Sequence, residues 1–335
     1  MDDNWTNSSN ITDEGEGGSL ITTETHLVLH SLIFLLLCAP TLLLSLGSTI
    51  ALVIATGINK VMRLVLIHMS LSNGAFAVSM TLWIFSVPVR YLANLQLKST
   101  DSFCRLTGSV FIVGGVGRFF SGALFCVVVF MLVKHPSKLK MYHIIGVILF
   151  QWAFSILWSI PAYLPSYGFR LISRYFCVVS IPSGQTLSYL AIYIHIGLSW
   201  IFVGIVSCVT TTCFAIYTHH YIKKNSIADN EGDLKKSCNN LAILFAISLV
   251  LNLIGLLLIP TSSLLIPFSG RLAFFLAYYI PLCLMALSAL PIPLLMITLL
   301  SPVKLALKNL LLLRSCGCRP TSPNAVHPDL STYES

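Results

Sequence analysis

The sequence predicts an all-α membrane protein, a seven-transmembrane helix bundle with a short amphipathic helix after the seventh span. Three observations carry that prediction. Of 335 residues, 56% are apolar and only 10% are charged, against roughly 45–50% and 25% in an ordinary soluble domain. The mean hydropathy is +0.85. Apolar runs well beyond about 18 residues, the length that reads as a membrane helix, recur along the chain. This composition excludes a soluble globular enzyme, a disordered regulator and a fibrous protein.

The apolar segments fall at residues 27–56, 64–89, 104–133, 141–166, 187–218, 238–266 and 272–300. As helices, each can cross about 30 Å of hydrocarbon. Lipid offers no water to backbone groups, so a span is a helix or part of a closed barrel. Continuous rather than alternating apolarity selects helices. No repeat and no second domain is visible, and residues 27–300 form one bundle.

Residues 1–26 form a polar, acidic tail. It holds Asn4-Trp5-Thr6, Asn7-Ser8-Ser9 and Asn10-Ile11-Thr12, three glycosylation acceptors. They predict an extracellular, glycosylated N-terminus at Asn4, Asn7 and Asn10. The start lacks the basic residues and short apolar core of a cleavable signal peptide. An odd number of spans then leaves the C-terminus in the cytoplasm. The basic residues agree: thirteen of the 20 fall in the inner loops and tail, between Lys60 and Arg319, and six at the outer side, as the positive-inside rule asks. The net charge of +8 therefore records orientation in a lipid bilayer. It calls for no nucleic acid.

After the last span, Pro302 suits a helix start. Val303, Leu307, Leu310 and Leu311 make an apolar stripe beside Lys304 and Lys308. Residues 301–314 thus predict a helix on the inner membrane surface, and residues 315–335 a disordered cytoplasmic tail. Cys316 and Cys318 are palmitoylation candidates; two unmodified thiols fit the sequence equally well.

Several local marks go further than topology. Trp152 and Pro161 stand nine residues apart in the fourth span, and Lys134-His135-Pro136 follows the third. Pro260 in the sixth span and Pro293 in the seventh are 33 residues apart. With seven spans and an inner surface helix, these marks resemble the rhodopsin-like G-protein-coupled receptors, of which the chain would be an atypical member. The resemblance covers nearly the whole chain. It implies a disulfide between Cys104 and Cys177, an extracellular ligand in the outer half of the bundle, heterotrimeric G proteins at the inner face, and the plasma membrane as location. At the bundle mouth, Arg90, Tyr91, Arg105 and Tyr279 are ligand-cavity candidates; an aromatic belt and ordinary loop charges account for them as well.

The departures fall on the activation motifs. Val128-Val129-Phe130 replaces Asp-Arg-Tyr, so Val129 stands for the arginine that engages the G protein. Ile292-Pro293-Leu294-Leu295-Met296 replaces Asn-Pro-x-x-Tyr, with Met296 for the tyrosine. Leu257-Leu258-Ile259-Pro260 lacks the tryptophan two residues before the proline, and Asn73 replaces an aspartate that binds sodium in many members. A non-signalling decoy or scaffold, or an anion transporter, is the alternative function.

Arg118 lies inside the third span, fourteen residues after Cys104, or about 21 Å along a helix. An intramembrane charge costs from about 3 to more than 10 kcal/mol if left to lipid. The expectation is an interior polar site in which Arg118 bonds Asn73, Ser72, Ser288 and backbone carbonyls, its guanidinium standing where the family holds sodium. No Asp or Glu lies inside any span, so neither a carboxylate pair nor a Ser-His-Asp arrangement can form there. No catalytic residue, metal or cofactor is expected. Gly114, Gly115 and Gly117 read as close-packing positions, and the adjacent His219 and His220 as a core or interfacial pair.

Overall fold

The structure, a computed structural model, describes residues 17–92, 102–135, 138–163, 169–173, 176–179, 202–224 and 230–316. Among these residues the order is α1 (Gly17–Ile54), α2 (Lys60–Leu92), α3 (Ser102–Lys134), α4 (Met141–Tyr163), β1 (Phe169–Ser173), β2 (Phe176–Val179), α5 (Val203–Lys224), α6 (Asn230–Ala289), α7 (Pro291–Leu299) and α8 (Ser301–Cys316). Among the described residues, five helices are long and apolar enough to cross a membrane, and six if the bent pair Cys283–Leu299 and Ser301–Leu310 is one span.

The surface explains that composition. Leu36, Leu43 and Phe150 are 72%, 68% and 66% exposed, whereas Asn73, Arg118 and Asn252 are 0% exposed. An apolar exterior, with buried polar residues set inside the core, is the reverse of a protein in water. It is what hydrocarbon around the bundle demands, and the protein is membrane-embedded.

Helix directions follow from paired residues. Ser48 and Ser70 share a 2.6 Å hydrogen bond, and Ser45 Oγ accepts from Asn73 Nδ2 at 3.4 Å, so α1 and α2 run antiparallel. The Phe130 ring lies 5.2 Å from Phe214 and 5.4 Å from Tyr217. A Cβ on Gly204 would stand 3.4 Å from the Phe119 ring. Residues 119 and 130 thus meet successive positions of α5, and the two helices run parallel. Arg118 bonds Ser248, and Cys126 Sγ approaches the Ala242 carbonyl at 3.9 Å, which makes the first leg of α6 antiparallel to α3.

Between α1 and α2 the chain turns at Gly57, whose φ of 81° suits glycine. Asn59 then caps α2, its Oδ1 accepting from the Val61 N–H at 2.9 Å.

Three elements differ from expectation. Helix α1 starts at Gly17, ten residues inside the tail expected at 1–26, since a formed helix extends at little cost per residue. No break separates the sixth and seventh apolar segments, for α6 is helical over 60 residues. Laid straight it would be about 90 Å long. Yet the Ser248 hydroxyl donates to the Ser288 carbonyl, so α6 folds back on itself within one continuous helical assignment. The third difference is the hairpin β1–β2, which pairs Leu171 with Cys177 and runs beside α3. A helix, α8, stands where the surface helix was expected. It leaves the preceding helix at 89°, buries Val303 and Ala306 against α1 and α7, and exposes Lys304, Leu305 and Lys308.

Close approach of α3 to α6 depends on Gly122. A Cβ there would stand 2.1 Å from Phe245 Cε1 and 2.7 Å from Leu249 Cδ1, so both side chains would have to move. Gly122→Ala should cost about 1–3 kcal/mol through overpacking, read as a lower thermal midpoint in detergent. Gly146 has nothing within 4 Å of its Cβ position, and Gly146→Ala should leave the midpoint unchanged or raise it.

Candidate functional site around Arg118

The guanidinium of Arg118 is wholly enclosed. Nη1 donates to Ser288 Oγ at 2.9 Å, and Nη2 to Ser248 Oγ at 2.7 Å and to the Ser288 carbonyl at 2.6 Å. Its Cζ stands 5.0 Å over the Phe76 ring, within cation–π range. Four contacts from α2 and both legs of α6 thus receive one cation, and no carboxylate takes part.

The acceptors exist because of local sequence. Pro291 and Pro293 lack the N–H groups that would bond the carbonyls of Leu287 and Ala289. The helix breaks at Leu290, between α6 and α7. Asn73 Nδ2 donates to that freed Ala289 carbonyl at 3.0 Å. Ser288 Oγ accepts from Arg118 while donating to Met285 O at 2.6 Å, and Ser248 accepts from Arg118 while donating to Ser288. Each hydroxyl uses both of its roles.

A second polar link ties α2 and α4 to the adjacent residue of α3. Gln151 Nε2 donates to the Gly117 carbonyl at 2.7 Å. Its Oε1 is 2.9 Å from His68 Nε2, which must then be the protonated nitrogen. The Trp152 ring meets His68 edge-on at 6.1 Å. Gly117 leaves room for this crossing, with Gln151 and Trp152 atoms 3.8–3.9 Å from its Cβ position.

The sequence brought Arg118, Asn73 and Ser288 to one place, and all three lie there, buried. Of the expected partners, Ser288 and a backbone carbonyl do bond Arg118, whereas among the described residues Asn73 and Ser72 do not; Asn73 reaches the neighbouring Ala289 carbonyl instead, because the proline break presents it. Ser248, Phe76, Gln151 and His68 escaped the sequence reading. Gln151 and His68 carried a usable signal, as polar side chains inside apolar runs. Ser248 carried none, since a helical serine usually bonds its own backbone.

The other candidates are distributed as follows. Val128 and Val129 are each 1% exposed, and Pro293 and Met296 are buried. Phe130 is half-buried between Phe214 and Tyr217. Cys104 sits in the first turn of α3 and Cys177 in β2, which runs beside that helix, but both side chains lie outside the described residues. So do those of Arg90, Tyr91, Pro260, Tyr279 and Cys316. Asn4, Asn7, Asn10 and Cys318 lie entirely outside them. Arg105 is half-buried near the start of α3. His219 accepts from Asn239 Nδ2 at 3.2 Å across the α5–α6 contact. No cluster of His, Cys, Asp or Glu among the described residues could hold a metal.

The site also holds unused polar atoms. Among the described residues, Arg118 Nε, Asn73 Oδ1, Ser72 Oγ and both polar atoms of the Asn252 amide have no partner. Asn252 is buried and stands four residues after Ser248, on the same face of α6 one turn along.

No protein-family model matches this sequence, and no curated protein does.

Removing one acceptor from a buried cation costs about 1.5–3 kcal/mol. Ser248→Ala should destabilise the protein by that amount in thermal or denaturant unfolding in detergent. Arg118→Lys should be at least as harmful, because a point ammonium cannot span the Ser248 and Ser288 acceptors as a planar fork does.

Proposed function

We propose that the protein is a seven-span cell-surface receptor of the rhodopsin-like type, with its N-terminus outside and its C-terminus in the cytoplasm. In this reading an extracellular ligand binds the outer half of the bundle and heterotrimeric G proteins meet the inner face. The fold-back of α6 supports it most: with its two legs counted separately beside α1 to α5, seven helical passes are available to such a bundle, and α8 would then lie along the membrane. Parallel α3 and α5, each antiparallel to a neighbour, are the directions such a bundle needs.

Asn252 supplies a means of switching. A one-turn displacement of α6 past α3 would exchange Ser248 for Asn252 as the acceptor of the guanidinium. One-turn ratchets of this kind, about 5.4 Å, are an established route between two states. A ligand drives the change only by its differential affinity for the two.

Val129 favours a second reading. An apolar, buried residue at the place of the G-protein-contacting arginine fits a non-signalling decoy or scaffold. An anion transporter has less support, since Arg118 is enclosed and bonded on several sides rather than lining an open path.

Guanine-nucleotide exchange on a panel of G proteins, measured with the purified protein in lipid vesicles, separates these readings. The receptor reading expects basal exchange above empty vesicles, increased by Val129→Arg and abolished by Asn252→Leu with no loss of thermal stability. Silence of both the parent and Val129→Arg across the panel overturns it in favour of a scaffold. Halide uptake by the same vesicles would indicate transport.

A further inference from the structure

The C-terminal end of α3 and the second half of α5 flank an open groove of about 340 Å³, lined by Phe130, Lys134, Cys213, Phe214 and Tyr217. Its wall is apolar except at one place. The Lys134 ammonium lies 5.5 Å from the centroids of both the Phe130 and the Tyr217 rings. No carboxylate is within ion-pairing distance of it among the described residues. The aromatic faces hold the cation without neutralising it.

The surroundings specify what fits. Cys213 and Tyr217 are exposed, and so are Val206, Val209 and Ile216 on the same helix. The groove therefore continues an apolar surface that faces hydrocarbon. Lys134 is in the last turn of α3, and Lys223 and Lys224 are in the last turn of α5. Because the helices run parallel, these three cations leave the bundle at the same side. Lys138 and Lys140 follow in the exposed link to α4. Apolar groove below and cations above match the two parts of an anionic phospholipid. The groove spans a single turn on each helix, about 6 Å of axis, which is too short to seat another helix along a packing seam.

We propose that this groove is a binding site for one anionic phospholipid of the adjoining leaflet. An acyl chain lies against Phe130, Phe214 and Tyr217, and the phosphate is held by Lys134. The site holds whether or not the protein signals.

The test uses the full-length protein extracted from vesicles of phosphatidylcholine and phosphatidylglycerol, with retained lipid counted by native mass spectrometry. One phosphatidylglycerol per chain is expected to survive delipidation that removes phosphatidylcholine. Lys134→Gln should weaken that retention about fivefold, the weight of one lysine near an anionic headgroup. Lys134→Arg should keep it, and so should Lys308→Gln on α8. Thermal midpoints in phosphatidylcholine alone check that each variant is folded. The proposal is overturned by equal retention of the two lipids, by indifference to Lys134→Gln in a folded protein, by displacement of the lipid with millimolar inorganic phosphate, or by oxidation that links Cys213 to Cys213 of a second copy, which would make the groove a contact between chains.

Discussion

One cation without an acid organises this molecule. Arg118 sits inside a membrane bundle, and no Asp or Glu occurs in any of the apolar segments to pair with it. A guanidinium in that position needs acceptors with fixed geometry, since its remaining recourse is hydrocarbon. The protein provides two serine hydroxyls, one backbone carbonyl and an aromatic face. These come from α2 and from both legs of α6, so satisfying the charge and assembling the bundle are the same event.

Several features that look separate follow from that arrangement. Both legs of α6 must reach the depth of Arg118, which requires the 60-residue helix to reverse. Pro291 and Pro293 end its second leg near Ser288, and the open carbonyl at Ala289 engages Asn73. Glycines then set the spacing of α3. Gly114 lies so close to α2 that a Cβ would be 2.9 Å from the Phe76 Cα, which keeps the Phe76 ring over the guanidinium. Gly117 admits Gln151, and Gly122 admits Phe245. Small residues allow close packing where lipid gives helices no hydrophobic reason to associate.

Much of the fold was legible in the sequence because hydrocarbon imposes a simple rule on composition. Most of the helical segments, the helix after the last span and Arg118 as an interior charge were visible. What stayed hidden depends on relations between distant residues. The gap between the apolar segments 238–266 and 272–300 argued for a break there, yet the backbone stays helical through it. The partner of Asn73 turned on which carbonyl a proline had freed, so it went to Ala289, while the arginine went to Ser248 and Ser288. Serine is common in membrane helices and usually bonds its own turn, as Ser155 does with Gln151 at 2.8 Å. Nothing in the sequence set Ser248 apart. The hairpin was hidden differently: Phe169–Ser173 and Phe176–Val179 are aromatic and β-branched, but short enough to pass for loop.

The central claim is that Arg118 gathers α3 and both legs of α6 at one depth. The most direct test is the distance between nitroxide labels at Ile247 and Leu287, next to Ser248 and Ser288. Both side chains face outward, at 54% and 47% exposure, so labels there leave the core intact. Pulsed electron resonance in lipid nanodiscs should give a distance under about 30 Å, the span of two packed helices with their labels. A distance near 60 Å, the length of about forty residues of unbroken helix, would contradict the account.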